Sequence, residues 1–454
     1  MLRSVSVVIP VYNDRDHLRQ CLESLRASEL QPAECIVVDD GSTDDSAGIA
    51  RDYGAKVLST NGRFGPARAR NLGAQSASGD ILLFLDADVC VHADTVSKVA
   101  NEFLQDPNLD AVMGSYDRQP ASPDYISQFR NLMHCFVHQH SNPQATSFWA
   151  GCGAMRRQVF LDFGGFNEKY RLPSIEDIEL GYRMAQAGRK LALNADIQVK
   201  HLKRWIFHSM MKTDFFYRAL PWSELSLRVG RLPNDLNLRI SQRISVALVF
   251  LLIALGADLA IRWHALFLVP LFATLFLLLS NYWVEGSVDR SHPVMALMVA
   301  NLSVIVGLSY WYHMYPVIPV VLVAWLGLFA RHRYACSSKV WRKRTAILVG
   351  GYFVLATVFV WIYLPFHPRE YLFVLLLVTL VALNKQFYMF LAAGRGRLFA
   401  VAAIPFHLLY FASSGLAFTV AVIRHGIGRL LGVPAEVPKV SVRAEADKPS
   451  AAAR

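Results

Sequence analysis

Several signatures are missing from this 454-residue chain, and each absence removes a class of function. Its six cysteines (Cys21, Cys35, Cys90, Cys135, Cys152 and Cys336) include no Cys-x-x-Cys pair. That argues against a zinc site or a disulfide framework, and for buried free thiols. No Gly-x-Gly-x-x-Gly follows the first apolar run, so the dinucleotide fingerprint is missing, and no Gly-x-x-x-x-Gly-Lys-Ser/Thr loop is present to cradle a phosphate. His134 and His138 share one helix face, but no Glu completes a His-Glu-x-x-His pattern. No DNA- or RNA-binding signature is present, so nucleic acid is not an expected partner. Met1 to Pro10 carries only the short run Val5 to Ile9, too little for a signal-peptide core, so the N-terminal half is expected to stay in the cytoplasm. Charge is scarce as well. Charged residues make up 18% and hydrophobic ones 54%, too apolar for one soluble protein.

The apolar excess is uneven. Residues 1–240 have the make-up of a soluble domain, and residues 244–423 are a succession of apolar runs. The expected division is a soluble domain with interfacial helices at its end over 1–230, a helical membrane domain over 231–430 and a disordered polar tail over 431–454. Candidate spans are 244–261, 265–284, 294–308, 317–329, 346–364, 371–391 and 399–422. The third and fourth are short and could form one re-entrant pair, so six or seven spans are expected. Arg331, Arg333, Lys339, Arg342, Lys343 and Arg344 form the strongest basic loop, with Arg239, Arg243, Lys385, Arg395 and Arg397 elsewhere. By the positive-inside rule these face the cytoplasm. The net charge of +11 then reflects loops beside anionic lipid.

Within the soluble part, strands and helices alternate. Ser4–Ile9, Cys35–Val38 and Lys56–Ser59 read as buried strands. Asp14–Ser28, with Leu18, Cys21, Leu22 and Leu25 on one stripe, reads as an amphipathic helix, and Thr43–Tyr53 and Ala67–Ala77 as two more. Such alternation predicts an α/β fold with a mainly parallel sheet, whose carboxyl edge gathers Tyr12, Asp39, Asp40, Asp86 and Asp88. At that edge the run Ile81–Leu85 ends in Asp86-Ala87-Asp88. Two carboxylates at this spacing can reach one hard cation bridging to a diphosphate; they equally suit a simple Asx turn. Helix Thr95–Leu104 and strand Ala111–Tyr116 follow, then a mixed segment over 124–143.

The glycines of Gly151-Cys152-Gly153 permit close backbone approach to a ligand or a tight turn. Ser174-Ile175-Glu176-Asp177 opens a helix to about Ala187, with Ser174 and Asp177 spaced as a capping box. Beyond His201-Leu202-Lys203-Arg204-Trp205, aromatics mixed with Lys and Arg to Arg228 read as interfacial helices.

These motifs, in this order, resemble an inverting glycosyltransferase of family 2 with the GT-A nucleotide-sugar fold, over residues 4 to about 225. Val8-Ile9-Pro10-Val11-Tyr12-Asn13 resembles the family's opening strand. Val38-Asp39-Asp40-Gly41-Ser42-Thr43-Asp44 resembles the loop whose second acid meets the nucleobase. Arg68-Ala69-Arg70-Asn71-Leu72-Gly73 resembles the helix that holds base and phosphate, and Asp86-Ala87-Asp88 the metal motif. Gly151-Cys152-Gly153 falls at the acceptor loop and Glu176-Asp177 at the acid pair that supplies the base. His201 falls where many GT-A enzymes place a third metal ligand. His201 to Trp205 also resembles the Gln-x-x-Arg-Trp motif of processive synthases, with His in place of Gln.

The resemblance implies attack of an acceptor hydroxyl on the anomeric carbon of a nucleotide sugar, with a UDP-sugar favoured. Pro10, Tyr12, Asp39, Asp40, Arg68, Arg70 and Asp86 would hold the donor. Asp86, Asp88 and His201 would hold Mg²⁺ or Mn²⁺. Asp177 would be the base, with Glu176 the second choice. Glu179, Arg204 and Trp205 would stand on the acceptor side. The implied acceptor is a lipid-linked or cell-envelope glycan, and the implied location a bacterial inner membrane with membrane lipids as partners. Transfer to polyprenyl phosphate, a non-catalytic nucleotide-sugar sensor and a processive synthase are the competing readings. Oligomeric state is left open.

Overall fold

The computed structural model describes residues 4–230, 236–259 and 368–431, with scattered positions between 299 and 322. Its N-terminal half alternates β1 (Val5–Val11), α1 (Arg15–Arg26), β2 (Glu34–Asp39), α2 (Ser46–Asp52), β3 (Lys56–Ser59), α3 (Pro66–Ser76) and β4 (Ile81–Leu85). There follow β5 (Val89–Val91), α4 (Thr95–Gln105), β6 (Ala111–Tyr116), α5 (Tyr125–Gln139), β7 (Cys152–Arg156), α6 (Arg157–Asp162), α7 (Glu176–Gln186) and β8 (Leu191–His201).

The strands form one eight-stranded sheet in the order β3-β2-β1-β4-β7-β6-β8-β5. The first four are parallel, as the alternation predicts. The sheet then turns mixed: β7 runs antiparallel to both β4 and β6, β8 runs parallel to β6, and β5 runs antiparallel to β8.

Side chains alternate across the sheet with the period of two that a strand imposes. Val7, Ile9, Leu83 and Leu85 face one apolar layer with α1 and α4. Val8, Leu82 and Phe84 face the other, with the alanines of α3. Helix α3 lies close against β1, since a Cβ on Gly73 would come within 2.5 Å of the Val8 side chain. Phe84 is fully buried and meets Phe148, Phe160 and Phe166 at ring-centroid distances of 6.4, 5.1 and 5.2 Å.

The aromatic–basic stretch after β8 folds as α8 (Phe207–Lys212), a π-helical turn (Thr213–Ala219) and α9 (Leu220–Val229). Among the described residues two further helices are long and apolar enough to cross a membrane: α10 (Ile240–Leu259) and the 34-residue α13 (Arg397–Leu430). Between them α11 (Pro368–Leu383) and α12 (Lys385–Arg395) meet at a bend of 67°, so the expected span 371–391 is broken at Asn384. The expected spans 265–284, 317–329 and 346–364, most of 294–308 and the tail beyond 431 lie outside the described residues.

The chain divides into two compact units, Phe250–Thr379 and the remainder. In the smaller, Arg369 donates to both carboxylate oxygens of Asp258 at 2.9 and 3.1 Å. In the larger, α12 and α13 join the N-terminal half. Phe387, Leu391, Ala400 and Ala403 are buried against Phe129 and Met133 of α5 and against Trp205. The boundary therefore falls inside α10 and α11, beyond the composition change near residue 230.

Replacing Phe84 by Ala removes the ring on which three others converge. We expect a loss of about 3–5 kcal/mol, as for other buried aromatic truncations, read as a lowered unfolding midpoint in detergent solution. An unchanged midpoint would contradict this account of the core.

Candidate active site

Asp88 and His201 are 113 positions apart and meet through two short strands. β5 pairs with the end of β8 in the register Val89↔His201. The Leu202 N–H donates to the Asp88 carbonyl at 2.8 Å. His201 Nε2 then lies 3.5 Å from Asp88 Oδ2.

The imidazole is oriented from behind by Asn131 of α5. His201 Nδ1 is 2.7 Å from Asn131 Oδ1, the same oxygen takes the Trp205 Nε1–H at 3.0 Å, and Asn131 Nδ2 donates to the Lys203 carbonyl at 3.3 Å. Indole is a donor only, which fixes the amide orientation and makes His201 Nδ1 the proton carrier. Nε2 therefore faces the Asp88 carboxylate with its remaining lone pair, so both groups can ligate one metal ion. Burial opposes ionisation of Asp88, but His201 and then Lys203 outweigh it and hold the group below the usual carboxylate range.

The donor set thus fits a hard or borderline divalent ion bound by Asp88 and His201, with Asn131 fixing the imidazole as second-sphere carbonyls commonly do. Among the described residues no three His, Cys, Asp or Glu side chains gather into a metal cage. Asp86 is drawn elsewhere: its Oδ1 accepts from Arg70 at 2.6 Å.

Arg70 is the hinge of the other half of the site. Its guanidinium is buried and also donates to Glu176 Oε1 at 2.9 Å, while Glu176 Oε2 accepts the Ser174 N–H at 2.9 Å. Asp177 lies beside this cluster. Its oxygens accept the Ala150 N–H at 2.9 Å and its neighbour Ile178 N–H at 2.8 Å. The next carbonyl, that of Gly151, takes the Asp86 N–H at 3.3 Å, so one turn holds both acids. Burial, then the negative charge of Glu176, pushes the Asp177 carboxyl up to about 7. The expected Ser174–Asp177 capping box does not form. Helix α7 starts one residue later, with Ile175 at its N-cap, and the Ser174 hydroxyl donates to the Tyr217 carbonyl.

The remaining candidates separate into exposed and committed groups. Tyr12 is exposed beyond Pro10, and Arg63, which no motif flags, lies over its ring at 4.2 Å. Arg68 is exposed and lies over Phe64 at 4.2 Å. Asp39 closes an Asx turn with the Ser42 N–H at 2.9 Å.

Asp40 has another job than meeting a base. It is buried, and its two oxygens accept Thr60 Oγ1, the Phe64 N–H and the Gly65 N–H at 2.9, 3.0 and 2.7 Å. Glu179 is likewise spent, paired through both oxygens with Arg183 at 3.0 Å and fully buried. Gly151 and Gly153 answer to Trp149: a Cβ would lie 2.5 Å from its ring at Gly151 and 2.2 Å from its carbonyl oxygen at Gly153. Cys152 is buried in β7 opposite Leu85. Arg204 is exposed, and Trp205 is buried behind His201. His134 contacts Arg218, and His138 packs on Trp149, so their shared helix face holds no metal pair.

Comparison with known proteins relates part of this sequence to a family. The family model described as Glycosyl transferase family 2 matches residues 6–164. Glycosyltransferase GlyG of Streptococcus pneumoniae serotype 4 is 33% identical over 121 residues, 26% of this chain and 40% of that protein. The O-antigen chain rhamnosyltransferase RfbN of Salmonella typhimurium is 26% identical over 233 residues, 48% of this chain and 74% of that protein. The chain spans less than half the length of the first curated relatives it matches. A solved mannosyltransferase of Pyrobaculum calidifontis, in complex with GDP-Man and Mn²⁺, aligns with a TM-score of 0.43 and 18% identity over 74% of this chain and 88% of that one. Residues 6–164, which run from β1 to the end of α6, thus match the model of glycosyltransferase family 2.

Proposed function

We propose that the protein is a membrane-anchored, inverting glycosyltransferase that moves a sugar from a nucleotide-diphosphate donor to a hydroxyl of a lipid-linked or cell-envelope glycan. The observation that carries this is Asp177: a carboxylate whose pKa of about 7 suits a general base at working pH. The hydroxyl oxygen attacks the anomeric carbon as the carbon–oxygen bond to the diphosphate breaks, and the hydroxyl proton passes to Asp177. A single in-line displacement inverts that carbon. Asp88 and His201 would hold Mg²⁺ or Mn²⁺, which when bound would neutralise charge on the departing diphosphate. Asp86 keeps Arg70 in place and has its second oxygen left for the ion. On the donor side Asp39 and Tyr12 are the accessible partners for the nucleobase, a role that passes from Asp40 because both its oxygens are taken; a uracil ring suits an acid contact.

The basic ends of the apolar helices support a cytoplasmic catalytic domain. Arg239 donates to the His140 carbonyl, and Arg395 Nε donates to Gln128 at 2.7 Å. Residues that mark the inner side of spans thus lie against this domain.

Asp177→Asn should lower kcat by roughly 10²–10⁴-fold, the usual worth of a positioned base. A base works ionised, so wild-type kcat/KM should climb with pH and level off above about 7, and the variant should lose that limb. Turnover at the wild-type rate in Asp177→Asn would point to a phosphate acceptor and sink the hydroxyl reading. Asn131→Ala frees the His201 ring, and the Mn²⁺ concentration for half-maximal stabilisation should rise about 10–100-fold. An unchanged Mn²⁺ dependence would remove Asn131 from the metal account.

A further inference from the structure

Beside the catalytic centre lies a cavity of about 380 Å³ that none of the sequence motifs predicts. It is bounded by α5, the π-helical turn, α9, the start of α10 and the middle of α13. Trp222, Val246 and Phe411 give it an apolar wall. At one end stand Arg130 and Arg218, with Asp214 the only acid among the described residues that line it. Arg130 is buried and paired with Asp214, and Arg218 reaches His134.

Two buried polar atoms of this wall, Arg130 Nε and Ser226 Oγ, have no hydrogen-bond partner. Each could donate to an oxygen placed in the cavity, and a buried donor left unpaired is costly. A π-helical turn is itself uncommon and is found mostly where it serves a site.

The cationic end adjoins the active site. His134, in contact with Arg218, stacks on Tyr116, and Tyr116 stacks on His201 with centroids 4.3 Å apart. The Tyr217 carbonyl takes the Ser174 hydroxyl, two residues before Glu176. A group held by Arg218 is therefore linked to Asp88 through the stacked rings of His134, Tyr116 and His201, and its neighbour Tyr217 is bonded to the segment that leads into the acid pair.

We propose that this cavity binds a single-chain lipid phosphate. Its apolar chain lies along Trp222, Val246 and Phe411, and its phosphate oxygens meet Arg218 and the free donors of Arg130 and Ser226. Guanidinium forks suit phosphate oxygens. The volume stands at the low end of the ~300–1,000 Å³ of small-molecule sites, room for one chain. A free phosphate would leave the apolar wall unmatched. The inference rests on the lipid-linked acceptor proposed above and narrows its class to a sugar joined through phosphate to one hydrocarbon chain.

The test is equilibrium binding of labelled farnesyl phosphate to the full-length protein in detergent, with farnesol and inorganic phosphate as competitors. Farnesyl phosphate should bind at least tenfold more tightly than either competitor. Arg218→Gln, which removes the charge, and Ser414→Trp, which fills the cavity, should each weaken it tenfold or more. If Arg218→Gln does not fold, Ser414→Trp decides alone. Equal binding of farnesol, or unchanged affinity in the folded variants, overturns the proposal. Release of nucleoside diphosphate from a donor panel is scored separately. Release without farnesyl phosphate binding ends this inference and leaves the transferase; binding without release upholds the lipid site and ends the transferase.

Discussion

The arrangement of the site depends on one buried guanidinium. Arg70 comes from α3, Asp86 from the end of β4 and Glu176 from the start of α7, and the arginine holds both acids at 2.6 and 2.9 Å. Taking such charges out of water is expensive, and removing one partner leaves the others uncompensated. The triad therefore fixes α3, the end of β4 and the start of α7 as a set. It also leaves a surplus of negative charge. Arg70 makes its hydrogen bonds to two carboxylates, and the third, Asp177, receives two backbone N–H bonds; burial and then the charge of Glu176 push it up to about 7 against the pull of those bonds and of Arg70.

A second set of contacts works from the opposite side of the same edge. Asn131 takes His201 and Trp205 on one oxygen, and its helix is clamped between the sheet and the C-terminal helices. The opposite face of α5 presents Phe129 to Phe387 and Phe406. The imidazole that faces Asp88 is thus positioned through a helix whose other side is buried by α12 and α13. That continuity explains why the larger unit takes in the end of the chain rather than stopping where the composition turns apolar.

Much of this was legible in the sequence, and the rest was hidden for physical reasons. β1, β2 and β4 follow from buried runs, and α1 from the stripe of Leu18, Cys21, Leu22 and Leu25, because burial on a parallel sheet leaves a strong pattern; the edge strand β3 is only half-buried and shows as a short run between them. Asp86 and Asp88 stand out as acids directly after the most apolar strand. The three-residue β5 is too short to show a period, β8 mixes polar and apolar positions, and α5 is obscured by its histidines, yet these three elements bring His201, Asn131 and Asp88 together. Motif matching names residue types and not their partners. Asp40 and Glu179 are acids in the right stretches, but Gly65 and Arg183 claim them. Gly151 is required by the Trp149 ring and Gly153 by the Trp149 carbonyl, contacts that only the folded turn creates.

The two acids at the heart of the site show how one sheet edge can hold carboxylates in opposite states. Both are largely buried, which raises the proton affinity of each. Asp88 meets an imidazole and the charge of Lys203, and stays ionised. Asp177 sits at a helix N-terminus, where the dipole and two N–H donors favour the anion, but burial and the charge of Glu176 outweigh them. Pairs of titratable groups pushed apart in this way mark acid and base assignments. The Asp-Ala-Asp motif gains its meaning from that contrast. An ionised Asp88 has charge for a cation, and a carboxyl poised near 7 a short way along the edge can take up a proton.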